Sequence, residues 1–128
     1  MAGNAPSQRQ LRVGELIRHA LADVFSRGQT NDPDIERLGV TVLEVQTSPD
    51  LKLATAYVRP FLDKDNKVLL AALERNRRHI RGLITPQLKL KFMPDLRFRI
   101  DTALDYAGHI EDILNSPAVR RDTANDEE

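Results

Sequence analysis

A chain of 128 residues with nineteen Lys and Arg, nineteen Asp and Glu and no net formal charge fits one domain and can bury a core of its own. The absence of Cys excludes disulfides and thiolate metal sites, and the absence of Trp leaves a mainly aliphatic core. Its start lacks the apolar stretch of a signal peptide, and its longest apolar run, residues 68–73, is too short to cross a bilayer, so the expectation is a soluble, cytoplasmic protein with no membrane partner.

Residues 1–8 are small and polar, and residues 117–128 are charged and lack apolar periodicity. Both read as flexible tails around a domain at 9–116, because such composition cannot offset the entropy lost on ordering. Val13, Leu16, Ile17, Ala20, Leu21 and Val24 recur at helical spacing, which predicts an amphipathic helix stopped near Gly28. A loop follows, with Asn31-Asp32-Pro33-Asp34 as its turn chemistry. Two β-branched runs, Val40 to Thr47 and Leu53 to Val58, are separated by Ser48-Pro49-Asp50 and predict a hairpin. Thr41, Leu43 and Val45 are expected on one face. Ala54, Ala56 and Val58 form a small-residue face on which a helix can pack closely.

Residues 63–66 offer N-cap candidates for the next helix, whose apolar stripe is Leu69, Ala72, Leu73, Ile80, Leu83 and Ile84. Asn76 falls inside that stripe. A buried amide needs hydrogen-bond partners, so a bend is expected there, and Pro86 should end or kink the helix close by. Leu96, Phe98 and Ile100 then alternate with Arg97, Arg99 and Asp101, a strand with one apolar and one basic face. A last helix, about 103–115, carries Ala103, Ala107, Ile110 and Leu114 on one side. The order predicts an α+β sandwich with helices packed on one face of a small sheet.

The three His residues lie far apart in sequence, and no GxSxG, GxxxxGK[ST] or GxGxxG string occurs. Asp63 and Asp65 read as a turn before a helix rather than a metal pair. Neither a catalytic residue nor a cofactor is expected. The informative stretch is Arg75 to Arg99, which holds eight basic residues and a single acid, Asp95. It carries a formal charge of +7, and the rest of the chain carries −7. Such sorting points to a polyanionic partner. Arg77, Arg78 and Arg81 share a helix side with Arg75 at its margin. Lys89 and Lys91 sit in an extended link, and Arg97 and Arg99 share a strand face. These eight residues are the candidate RNA-binding set. Phe92, the nearest aromatic, is expected in the core, which favours backbone and shape recognition of structured RNA over base stacking. The competing reading is a small α+β ligand-binding or protein-interaction module whose basic face is merely solvated. An enzyme ranks third.

The opening Arg12-Val13-Gly14-Glu15-Leu16-Ile17, the hairpin with Val42, Val45, Ser48, Asp50 and Leu51, the step His79-Ile80-Arg81 and the run Leu88-Lys89-Leu90-Lys91-Phe92-Met93-Pro94-Asp95-Leu96-Arg97-Phe98-Arg99-Ile100-Asp101 occur in that order. Together they resemble the ribosome-binding factor A family over roughly Arg9 to Leu114. The resemblance implies a type II KH-like fold, α-β-β-α-kink-α-β, with a three-stranded sheet and an additional C-terminal helix. It also implies a non-catalytic, monomeric factor that binds free small (30S) ribosomal subunits and their 16S rRNA. A role in processing the 5′ end of that RNA, with importance in the cold, follows from the same resemblance. In that family an Ala-x-Gly step shapes the helix–kink–helix; here the aligned step reads Asn76-Arg77-Arg78, which removes the Gly and adds two cations.

Overall fold

The first helix, α1 (Gln8–Ser26), begins with a reciprocal cap. The Ser7 hydroxyl accepts from the Gln10 backbone N–H (3.1 Å), and the Gln10 side-chain carbonyl accepts from the Ser7 N–H (2.9 Å). Two donors that a helix start leaves orphaned are satisfied this way, so helical structure reaches into the segment expected to be a tail. The computed structural model describes residues 5–62 and 64–101; the helix expected at 103–115, the tail at 117–128 and Asp63 lie outside them. In α1, Val13, Ile17, Ala20, Leu21 and Val24 are buried as their spacing predicts. Leu16 is not: at 41% exposure it lies off the packed face.

The loop expected after α1 contains a further short helix, α2 (Pro33–Leu38). Asp32 caps it, with one carboxylate oxygen accepting from the N–H groups of Asp34 (2.9 Å) and Ile35 (3.4 Å). Pro33 follows at the first helical position, where its missing N–H costs nothing. Gly39 closes the helix with φ +74, a conformation that side chains resist.

The hairpin forms from β1 (Thr41–Thr47) and β2 (Leu53–Arg59), paired antiparallel. Its expected face is corrected by a bulge. The register shifts between Val42 and Glu44, so Leu43 has no partner and the alternation slips by one residue. Val42 and Val45 are the buried pair instead of Thr41, Leu43 and Val45. Ala54, Ala56 and Val58 are fully buried on β2.

Two helices, α3 (Asn66–Arg75) and α4 (Arg77–Leu88), then carry the chain across to β3 (Asp95–Ile100). This strand pairs parallel to β2, and a parallel pair requires a crossover of such length. The sheet order is β1-β2-β3. Asp65 precedes α3 but does not cap it: its φ is +60 and its side chain makes no capping bond. Pro86 lies inside α4, which continues two residues past it and stops at Lys89, where φ is +53. The link therefore starts in a left-handed turn, not an extended segment.

Ile17 and Leu21 of α1, Leu69 and Leu73 of α3, Ile80 and Ile84 of α4, and Leu96 and Phe98 of β3 meet over the alanines of β2. Gly14 marks the closest approach of helix to sheet. A Cβ built there would stand 2.6 Å from the Val45 carbonyl oxygen. Among the described residues, no helix is long and apolar enough to cross a membrane.

Candidate nucleic-acid interface

The hinge between α3 and α4 is one residue, Asn76, with φ −103 and ψ 9. Its N–H closes α3 on Ala72 (3.1 Å) and Leu73 (3.2 Å), and its carbonyl accepts from Ile80 N–H (2.8 Å) to open α4. Asn76 is half-buried rather than buried, and its amide finds its partners across the chain. Asn76 Nδ2 donates to the Ala72 carbonyl (2.8 Å) and to the second carboxylate oxygen of Asp32 (2.8 Å). That same oxygen accepts from Arg75 Nη2 (2.9 Å). One acid thus caps α2 and holds the hinge between α3 and α4. Burial works to raise the Asp32 carboxyl, but hydrogen bonds from Arg75, Asn76 and the backbone of Asp34 and Ile35 outweigh it and leave the group below its ordinary value.

The candidate basic residues do not form one cluster. Arg75 is drawn away from its neighbours into ion pairs with Asp32 and, at 3.5 Å, with Asp34. Arg77 and Arg78 are exposed at the start of α4, with Arg77 3.6 Å from Glu74. Together with Arg81, Arg97, Leu53 and Asp95 they line a cleft of about 530 Å³ between α4 and β3. Arg81 has a second task there. Its guanidinium donates to the carbonyls of Met93 (2.6 Å) and Pro94 (3.0 Å), fastening the link to the helix. Arg97 and Arg99 are exposed on the sheet face opposite the core, in register with Thr55 and Tyr57 of β2. Lys89 ends α4, and Lys91 faces a different cleft.

That second cleft, about 720 Å³, lies where the start of α1, the β1–β2 turn and the link from α4 to β3 meet. Arg9, Lys52, Lys91 and Phe92 line it. Here the expectation for Phe92 fails: the residue is 78% exposed, not part of the core. Arg81 fixes the backbone at Met93 and Pro94, so Leu90, Met93 and Pro94 pack inward and Phe92 is left pointing out. The Lys91 ammonium stands 5.6 Å from the centre of that ring, within range of a cation–π contact.

Residue patterns did not reveal the role of Asp32 at the hinge. The Asp-Pro order, an N-cap acid followed by Pro at the first helical position, was the available signal for α2. Nothing in spacing could signal its contact with Asn76, 44 positions away. Among the described residues, no cluster of three His, Asp or Glu side chains is arranged to hold a metal ion.

Architecture and site together define a small α+β domain in which a helix–hinge–helix crossover and the parallel strand after it present Arg side chains to one cleft. The sequence model described as ribosome-binding factor A matches residues 9–114, and the chain belongs to that family. A ribosome-binding factor A of Bradyrhizobium sp. (strain ORS 278) is 52% identical over 125 residues, covering 98% of this chain and 91% of the relative. The fold is shared with the crystal structure of ribosome-binding factor A from Thermus thermophilus, at a TM-score of 0.60 and 23% identity over 71% of this chain and 94% of that one. A homology model of the Thermus thermophilus protein, fitted into a cryo-EM map of its complex with 30S, gives a TM-score of 0.53 and 27% identity over 66% of this chain and 86% of the other.

Proposed function

We propose that this chain is a non-catalytic, cytoplasmic assembly factor that binds the free small ribosomal subunit as a monomer, through contacts to 16S rRNA. It assists late maturation of the subunit, including processing of the 5′ end of its RNA, and matters most in the cold. Family membership supports the subunit as partner, as does the fitting of the Thermus thermophilus relative into a 30S complex. The observation that carries the RNA reading is the convergence of Arg77, Arg78 and Arg97 on one cleft, which Arg81 also lines. Phosphate recognition needs cations on rigid supports, and here a helix start and a strand supply them.

Arg75 is held by Asp32 and Asp34 and Arg81 by two carbonyls, so Arg77, Arg78, Lys89, Lys91, Arg97 and Arg99 remain to meet phosphates. If all six do so, log K for the subunit falls against log salt with a slope of about 4 to 5. Co-sedimentation with purified small subunits across a salt series measures this. A flat response, or no co-sedimentation, rejects the RNA reading. Deleting the gene should cause subunits with unprocessed 16S 5′ ends to accumulate on a shift to low temperature, and wild-type 5′ ends there would reject the maturation role.

A further inference from the structure

The cleft around Phe92 adjoins the one between α4 and β3, sharing Asp95 with it, but its chemistry differs. The Arg-lined cleft offers cations on a helix and a strand. The Phe92 cleft joins an exposed aromatic face to cations over an apolar floor that includes Val13, Leu51, Leu90 and Met93. An exposed Phe gains nothing from water. Its ring is presented because the link is fastened behind it by Arg81.

We propose that this cleft takes one unstacked nucleotide of single-stranded RNA, with the base lying on the Phe92 ring and the adjoining phosphates met by Lys52, Lys91 and Arg9. The inference rests on the RNA-binding reading and assigns to it a single-stranded subsite. Three observations select this occupant. Every base has a π-face, and stacking on an aromatic side chain is sequence-tolerant. The Lys91 ammonium already occupies a position over the ring. An entering base displaces it toward the phosphate, so the cation changes partner without being lost. Third, the charges in the cleft favour an anion. Arg9, Lys52 and Lys91 outnumber the two acids of the cleft, Asp50 and Asp95. Among the described residues no carboxylate forms an ion pair with any of the three, although after the Ser48 hydroxyl and the backbone the Lys52 charge also helps hold the Asp50 carboxyl below its ordinary value. Asp50 accepts from the Ser48 hydroxyl (2.7 Å) and the Lys52 N–H (3.1 Å), and Asp95 lies 3.9 Å from Arg81. A duplex cannot use the site, because its bases are already stacked on one another.

Phe92→Trp places the only tryptophan in the chain on the cleft. Titration with a single-stranded oligouridylate should quench its fluorescence, and an RNA duplex with the same number of phosphates should not. Phe92→Ala should weaken binding of the single strand by about 5- to 100-fold, leaving duplex affinity and the folded circular dichroism spectrum unchanged. Unchanged single-strand affinity, or equal losses for strand and duplex, overturns the subsite. So does a Phe92→Ala loss seen only with intact subunits, which would mean that a ribosomal protein meets the ring. If wild-type protein binds small subunits and duplex with the expected salt slope while the Phe92 variants behave like wild type, this subsite fails and the general RNA reading stands. If wild type binds neither RNA nor subunits, both fail.

Discussion

Asp32 and Asn76 are joined by a 2.8 Å hydrogen bond across 44 positions of sequence, and through it the loop after α1 sets the hinge on which the Arg cluster turns. The carboxylate is only 9% exposed, and both its oxygens are engaged, one on α2 and one on the α3–α4 hinge. A change at Asp32 therefore reaches the Arg-lined cleft through the hinge, since Asp32 itself does not line that cleft.

Asp32→Asn should lower stability at neutral pH by about 1–3 kcal/mol, because a charged acceptor of several hydrogen bonds is replaced by a neutral amide. The direction of the pH dependence follows from the lowered carboxyl pKa. The folded state holds the proton less tightly than the unfolded chain, so the stabilisation is complete above the ordinary value of 3.8 and is lost as pH falls through the folded value. Denaturant melts of wild type and Asp32→Asn should converge as pH drops below that range. A stability gap that stays constant with acidification would show that ionisation of Asp32 is not what links hinge and loop.

Gly14→Ala tests the contact between helix and sheet. A methyl group there would meet the Val45 carbonyl oxygen at 2.6 Å, and that partner is backbone inside β1, which cannot swing aside. Overpacking of this kind costs about 1–3 kcal/mol, despite the better helix propensity of Ala. A lower thermal midpoint is expected; an unchanged or higher one would mean that α1 can slide without loss.

Arg78 and Arg81 lie three positions apart on one helix and should separate binding from stability. No ion pair involving Arg78 exists among the described residues, so Arg78→Ala should change stability by less than about 0.5 kcal/mol. It should also reduce the salt slope of subunit binding by about 1. Arg81→Ala removes both donors that hold Met93 and Pro94, so it should lower the thermal midpoint and disturb the link that presents Phe92. A triple Ala variant at Arg77, Arg78 and Arg81 therefore mixes two effects. Equal stability losses for the two single variants would refute this division.

Much of the fold could be read from residue pattern because the pattern and the burial are the same fact. A helix with apolar residues at three- and four-residue spacing buries that face wherever it packs, as Val13, Ile17, Ala20, Leu21 and Val24 do. Period-two alternation did the same for Leu96 and Phe98. The bulge after Val42 escaped, since it is set by register against β2 rather than by the residues of β1 alone.

The candidate site was legible as a composition and not as an arrangement. Eight basic residues between Arg75 and Arg99 are countable in the chain. Their fates diverge for reasons carried by distant atoms: Asp32 and Asp34 occupy Arg75, backbone carbonyls occupy Arg81, and the left-handed turn at Lys89 redirects the link. By itself the sequence determined α1, the three strands, the bent helical crossover, most of the apolar core and the concentration of positive charge, because these depend on local spacing and composition; the short α2 lay hidden in a turn signal. Only the tertiary structure decided which cations stay available, that Asn76 is a satisfied hinge, and that Phe92 faces outward. Those outcomes depend on hydrogen bonds between segments that folding alone brings together.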